Sequence, residues 1–307
     1  MHIGRKNILG IGLQRDDTPV APTHYIPFLE CNLIERHTPI PDIQAKGTRE
    51  LEGGQSVEGK KWGEGNIEVV LDPVTAPYWF ALALGEIESS PFGELYQHDI
   101  SRASNTPLKA TIWRDRYVDK IQFSSAVVDN LELAFADDVA KLTVDIFSKF
   151  PTSQDRTPEM TELSYYTFRN ATVEIDESTP IKVREMILKI ENNAELIFAP
   201  GNNNVDRIAW KGFRVSGKFT LLFEDTVQKT AFHELSKQSL KIKFEGEAGD
   251  EITIQIPQFR VDNWGLDNPN DDLVNENIEF VAELAKDAEE SISVRIVNDV
   301  PDYISES

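Results

Sequence analysis

Gly65-Asn66-Ile67-Glu68-Val69-Val70-Leu71-Asp72, leading on to Val74 and Phe80, reads as a strand that runs into a helix. Ile67, Val69 and Leu71 recur at every second position, the period of a strand with one buried face. The same spacing returns in Gly217, Phe219, Leu221, Phe223 and Glu224, then Thr226 and Phe232, 152 positions later in a chain of 307 residues. In both places the apolar run ends on an acidic residue, and a helix-like pattern follows over 73–84 and 226–237. A strand-to-helix unit repeated at half the chain length predicts two related domains made by duplication. Residues near 40–150 and 175–300 are then expected to superimpose, each half with one main helix. Symmetric oligomers repeat one contact, so a chain of this kind can stand in for two subunits of a ring.

Working outward, strand patterns dominate. Alternating runs occur at 67–71, 131–135, 142–146, 173–175, 186–190, 219–223, 240–244, 252–256 and 292–296. Each has one apolar and one polar face, as in antiparallel sheets covered on one side. Helices are expected over 74–84, stopped by Gly85, and over 227–237, capped by Asp225 or Thr226. Residues 278–288, rich in Ala and Glu, fit either a helix or a strand with an acidic turn. Loops are expected at 15–27, 39–61 (with Lys46, Gly47, Gly53, Gly54 and Gly59), 89–107, 200–206 and 263–272. The stretch Phe-Pro-Thr-Ser-Gln-Asp-Arg-Thr-Pro at 150–158 falls at the midpoint and reads as an inter-domain linker. This sets domains at 1–155, with an N-terminal arm and the long 39–61 loop, and 156–307.

Composition narrows the function. The net charge is −21, divided as −7 over residues 1–150 and −14 over 151–307. So acidic a chain binds nucleic-acid phosphate poorly, because that affinity comes from lysine and arginine releasing counterions. It is equally ill suited to an anionic membrane surface, and no apolar run approaches the ~20 residues of a membrane helix. The 7–13 stretch is too short and glycine-broken for a signal peptide, so cytoplasmic synthesis is expected. The single cysteine, Cys31, precludes an intramolecular disulfide and a cysteine zinc site.

Catalytic and metal patterns are not found. His2, His24, His37, His98 and His233 are scattered, with no His-Glu-x-x-His. There is no nucleophile elbow and no Walker loop. Gly63-Glu64-Gly65 precedes a strand instead of following one and marks a tight bend, not a dinucleotide site. Asp267-Asn268-Pro269-Asn270-Asp271-Asp272 is oxygen-rich but has Pro269 in the third position and no following Gly, so a solvated turn is the better reading than a calcium loop. Trp79 reads as core. Trp62 and Trp264 fall in polar loops, where local packing is the plainer role and protein or sugar anchoring the sharper one. The expectation is no catalytic, cofactor-binding or metal-ligating residue.

Four stretches together resemble a known family. They are Gly10-Ile11-Gly12-Leu13-Gln14-Arg15 followed by Thr18 through Pro27; the glycine-rich bend, strand and apolar helix from Gly59 to Ala83-Leu84-Gly85; Val127-Val128-Asp129-Asn130-Leu131-Glu132-Leu133; and Leu188 through Glu195, Gly212 to Phe223 and Ile252-Thr253-Ile254-Gln255-Ile256-Pro257. In this order the chain is similar to the tail tube (major tail) proteins of long-tailed bacteriophages, in the two-domain type. The resemblance implies a mainly β fold of two β-sandwich or half-barrel domains, each with a flanking helix. It implies a structural virion protein, not an enzyme, that stacks as rings, trimeric and pseudo-hexameric, into a DNA-conducting tail channel. The implied partners are further copies, the tape measure, terminator and distal tail proteins, and genomic DNA that passes without specific binding. The implied location is the virion tail, assembled in the host cytoplasm. A baseplate or decoration protein, or an extracellular carbohydrate-binding β-sandwich, is the alternative. Strand alternation would turn Glu68, Glu132 and Asp145 of the first half, and Lys189, Glu191, Lys218 and Lys243 of the second, toward the channel.

Overall fold

The structure, a computed structural model, describes residues 6–40, 57–103, 106–136, 138–176, 180–267, 269, 273–286 and 289–304. Most of the expected loop at 39–61, and most of the oxygen-rich run at 267–272, lie outside the described residues.

The chain is mainly β with two α-helices among the described residues. Its first half runs β1 (Ile8–Gln14), β2 (His24–Ile26), β3 (Glu30–Cys31), β4 (Ile34–Ile40), β5 (Val57–Val70), α1 (Ala76–Leu84), β6 (Gly85–Phe92), β7 (Leu95–Arg102), β8 (Lys109–Asp115), β9 (Lys120–Phe135), β10 (Lys141–Ser148) and β11 (Thr152–Ser153). The second runs β12 (Ala171–Ile175), β13 (Val183–Glu191), β14 (Ala194–Ile197), β15 (Arg207–Trp210), β16 (Arg214–Leu222), α2 (Val227–Glu234), β17 (Lys237–Glu245), β18 (Glu251–Asp267), β19 (Asn275–Ala282) and β20 (Ser293–Asn298).

Eight strand positions form one antiparallel layer, in the order β3/β4–β5–β10–β9–β13–β16–β19–β18. A second layer runs β12–β17–β18–β20–β7–β6. A third runs β2–β1–β8–β9–β11. The long strands β9 and β18 each pass from one layer into another. That continuity lets their apolar residues feed one core, which includes Leu131, Leu133, Phe259 and Val261.

The eight-stranded layer consists of two four-stranded stretches with the same ladder. Ile67 of β5 opposes Val144 of β10, which opposes Leu131 of β9. Phe219 of β16 opposes Ile278 of β19, which opposes Trp264 of β18. Both ladders slip at one place, leaving Asp129 and Asp262 as the extra residue of a bulge. Gly65 and Gly217 also hold the same ladder position, opposite Ile146 and Phe280. A Cβ on Gly65 would lie 2.2 Å from the Asn32 carbonyl oxygen, and one on Gly217 would lie 2.5 Å from the Phe280 ring. Close approach explains why glycine stands at both.

The helices differ. All nine residues of α1 are buried, because Ala76-Pro77-Tyr78-Trp79-Phe80-Ala81-Leu82-Ala83-Leu84 is apolar around its whole circumference. It packs on β9, β7, β6 and β1. In α2 only Gln228 and Ala231 are buried, and the helix lies on β18.

Several sequence expectations need correction, among them the loops expected at 39–61 and 263–272: residues 57–61 open β5 and residues 263–267 end β18, so Trp62 and Trp264 stand on strands. Residues 89–107 are largely the hairpin of β6 and β7, with Gly85 opposite Arg102 and Phe92 opposite Leu95. Polar residues such as Glu88 and Ser90 hid it by facing solvent. The expected 15–27 loop contains β2, which pairs with β1. The midpoint stretch 150–158 docks instead of hanging free: Thr152 pairs with Gln122, and the Trp113 indole donates to the Gln154 carbonyl oxygen. Of the two readings of 278–288, the strand holds. Ile278 and Phe280 are buried core residues in β19, so sheet packing outweighs the helix propensity of Ala and Glu there.

Candidate functional site

One face of the eight-stranded layer is apolar and packed, with Ile67, Leu133, Val144, Leu188, Phe219 and Ile278 at 0% exposure. The intervening residues therefore share the opposite, partly exposed face. Six of the seven sequence-predicted face residues meet there: Glu68, Glu132, Asp145, Lys189, Glu191 and Lys218. Lys243 does not. It lies on β17 in the second layer and pairs with Glu245 at 2.5 Å and Glu251 at 2.9 Å.

The face is laced by cross-strand contacts. Lys189 binds Glu132 at 2.8 Å across β13 and β9, and that partner raises the Lys189 pKa. Lys141 approaches Glu68 at 3.5 Å, Arg36 binds Glu64 at 3.0 Å, and Asn130 donates to Asp145 at 3.1 Å. Sequence reading missed Arg36, Glu64, Lys141, Arg214, Asp267 and Glu279 on this face, although alternation from buried neighbours such as Leu142 and Ile278 locates Lys141 and Glu279. Among the described residues its carboxylates (Glu30, Glu64, Glu68, Glu132, Asp145, Glu185, Glu191, Asp267, Glu279) outnumber its cations (Arg36, Lys141, Lys189, Arg214, Lys218, Arg260). Around Lys189, Arg214 and Lys218 the surface is locally basic, with Asp262 and Glu279 beside it.

The layer ends in two edges. Among the described residues, β4 pairs only with β5, and β18 has no strand on its outer side beyond Arg260. Edge strands are templates for pairing with another chain.

An acidic-leaning polar sheet face, two open edges and a ladder repeated within the chain are features of an assembling protein. A family model described as phage tail tube protein matches residues 13–287. The chain belongs to the phage tail tube family. No curated protein matches it. As a tail tube family member it is a structural component of the virion tail, which assembles with itself and with other tail proteins.

The other singled-out residues have local roles in this tail tube chain. Trp79 is fully buried. Trp62 packs edge-on to Phe198 and donates to Glu64, and Trp264 donates to Glu276. Desolvation raises the Glu276 pKa, and that indole opposes the rise. His24 and His98 sit in a cluster with Tyr78 and Tyr303, and burial lowers both histidine pKa values. Cys31 is a buried free thiol. Among the described residues no group of three or more His, Cys, Asp or Glu is placed to hold a metal. A cavity of about 470 Å³ beside α2 is lined by Gln228, Gln238 and Glu276, with Ile181 and Lys182 before β13 and Leu221 and Leu222 at the end of β16.

Proposed function

We propose that the chain is a tube subunit made of two copies of one unit, near 1–155 and 156–307, and that three chains close into a ring with pseudo-sixfold symmetry. The observation that carries this reading is the repeated ladder, bulge included, at Asp129 and Asp262. Each chain then supplies two quasi-equivalent four-stranded stretches, and the rings stack into a tube. Neighbouring chains join edge to edge, which removes the open edges as aggregation sites.

The polar face turns inward in this arrangement. Its excess of carboxylates gives DNA phosphate few lysine or arginine partners, so the genome slides without sticking. The tape measure, terminator and distal tail proteins are the partners inside and at the ends of the tube, and assembly takes place in the host cytoplasm. The protein acts by assembly and not by catalysis.

Cryo-electron microscopy of the concentrated protein tests this reading. The expected image is a tube with three chains per ring and the Glu68–Glu132–Asp145 face inward. Monodisperse monomers by light scattering, with no tubes in the micrographs, would overturn it. A net positive inward face would remove the sliding argument alone.

A further inference from the structure

The pairing between neighbouring copies has a template inside the chain. At the internal junction β9 meets β13 antiparallel, with Leu133 opposite Leu188 and Asn130 opposite Glu191. Each of these strands has a counterpart at an edge that carries no further strand among the described residues. β3–β4 lies on β5 as β13 lies on β16: Cys31 opposes Ile67 as Met186 opposes Phe219, and Arg36 opposes Trp62 as Glu191 opposes Arg214. Past the shared bulge, β18 lies on β19 as β9 lies on β10: Asn263 opposes Glu279 as Asn130 opposes Asp145.

We propose that a second copy of this chain lays its β3–β4 edge along the outer edge of β18 in the register of the internal junction, with Arg36 opposite Asn263, Ile34 opposite Gly265 and Leu33 opposite Leu266. This rests on the reading of the chain as a ring-forming tube subunit and specifies its contact. Leu266 is 43% exposed, whereas its counterpart Leu133 is 0% exposed beneath the internal junction. Leu33 of the next copy supplies the apolar neighbour that Leu188 supplies to Leu133.

Backbone polarity fits. The Asn32 N–H bonds the Asn66 carbonyl oxygen on β5, so alternation turns the backbone groups of Leu33 and Glu35 to the outer edge. At the internal junction the Asn192 N–H likewise bonds the Asp129 carbonyl oxygen. In the single chain the Leu33 and Cys31 carbonyl oxygens are taken by the guanidinium groups of Arg114 and Arg116. These arginines guard that stretch of edge, as charged side chains commonly do. Pairing therefore starts at the Glu35–Arg36 end and advances into the guarded stretch.

Paired cysteines read the register. Arg36 and Asn263 would form a non-hydrogen-bonded antiparallel pair, with Cα atoms ~4.5 Å apart, within disulfide range. Both positions are exposed, so substitution leaves the core intact. In a Cys31→Ala background, Arg36→Cys/Asn263→Cys is assembled under reductant, imaged for tubes, then oxidised and run on a non-reducing gel. The expected result is nearly complete conversion to linked oligomers, with the same outcome for a second pair, Ile34→Cys/Gly265→Cys. The two-residue slip, Ile34→Cys/Asn263→Cys, should give at least tenfold less. Tubes in the micrographs with linkage favouring the slipped pair, or with neither predicted pair linked, would overturn the register while leaving the tube reading intact. Absence of tubes from the unmodified chain would sink the tube reading itself.

Discussion

Asn192 ties the end of β13 to the end of α1, and its truncation is the most informative perturbation of the junction between the two halves. The residue is 0% exposed. Its amide nitrogen donates to the Ala83 carbonyl oxygen at 2.9 Å and to the Val128 carbonyl oxygen at 3.2 Å, and its amide oxygen accepts from Arg102 at 2.9 Å. Ala83 is in the last turn of α1, where carbonyls lack intrahelical partners. Gly85 N–H serves Ala81, Ala103 N–H serves Leu84, and Asn192 serves Ala83.

Asn192→Ala would remove all three side-chain bonds, but not with equal effect. Val128 keeps the Trp210 indole at 3.0 Å, and Arg102 keeps its stacking on Trp210 and Phe213. The Ala83 carbonyl is left buried without this partner, which costs about 1–3 kcal/mol. An unfolding entropy of ~2.1 cal/mol/K per residue gives ~0.6 kcal/mol/K for a chain of this size, so a loss of ~2 kcal/mol lowers the melting temperature by about 3 °C. Asn192→Asp should lower it further at pH 7, because a carboxylate would face two carbonyl oxygens with only Arg102 to offset the repulsion. That environment would raise the folded pKa above the usual ~3.9, so the extra penalty is present at neutral pH and fades as pH falls through the folded value. Circular-dichroism melts of both variants from pH 4 to 8 provide the check. A drop below 1 °C for Asn192→Ala, or an aspartate variant no worse than alanine at pH 7, would refute the capping argument.

Three further outcomes follow from single contacts. Tyr166→Phe keeps the ring against Phe244 but loses the hydroxyl bond to Asp250 at 2.6 Å, so chemical denaturation should show a loss of about 1.5–3 kcal/mol. Asp72 is buried, and burial pushes its pKa up from 3.8 to about 6 against the opposing hydrogen bonds of Thr75 and Val74. The raised value means its stabilising contribution is full below about pH 4 and lost as pH rises through about 6; the melting-temperature gap between wild type and Asp72→Asn should therefore shift against wild type from pH 4 to 7, and a flat gap would contradict it. Gly217→Ala places a Cβ 2.5 Å from Phe280 and 2.6 Å from the Ile187 carbonyl oxygen, so the urea midpoint should fall by an amount worth about 1–3 kcal/mol, with the slope unchanged.

The repeat was legible in the sequence because both copies of the strand-to-helix turn keep their spacing. The 152-residue offset relates β5 to β16, and it also relates Gly85 at the start of β6 to Lys237 at the start of β17. Beyond that point the sequence lost it. The first half inserts β8 and the leading half of β9, so the bulge residues Asp129 and Asp262 stand only 133 positions apart. Alternation placed the face residues of the eight-stranded layer but misplaced Lys243, because alternation says which residues share a face and not which layer a strand joins. The β6–β7 hairpin escaped for a related reason: β6 buries only Gly85 and Ile87, and its outer residues look like loop. The guarding of the β3 edge by Arg114 and Arg116 was invisible, since 81 and 85 residues separate the partners.

Fusing two units changes the thermodynamics of a ring. The β9–β13 junction closes within one chain, so it avoids the translational and rotational cost, of order 4–15 kcal/mol, that each junction between separate chains must overcome. Under the ring reading, half of the edge contacts are already made when the chain folds, and only the β18 to β3–β4 contacts await a neighbour. Under the same reading the two halves are free to diverge, because they no longer have to fold as identical copies. The last strand shows the consequence. β20 crosses to pair with β7 of the first half. Its last residue, Asn298, donates to the Pro73 carbonyl oxygen, and Tyr303 beyond it donates to that of Val74, both at 2.7 Å, just before α1. The helix at the centre of the first unit is thus closed at its N-terminal end by residues near the end of the second. Cutting the chain at 155–156, the proposed unit boundary, would open that end of α1, so under the ring reading the whole chain, rather than either half, is the building block of the tube.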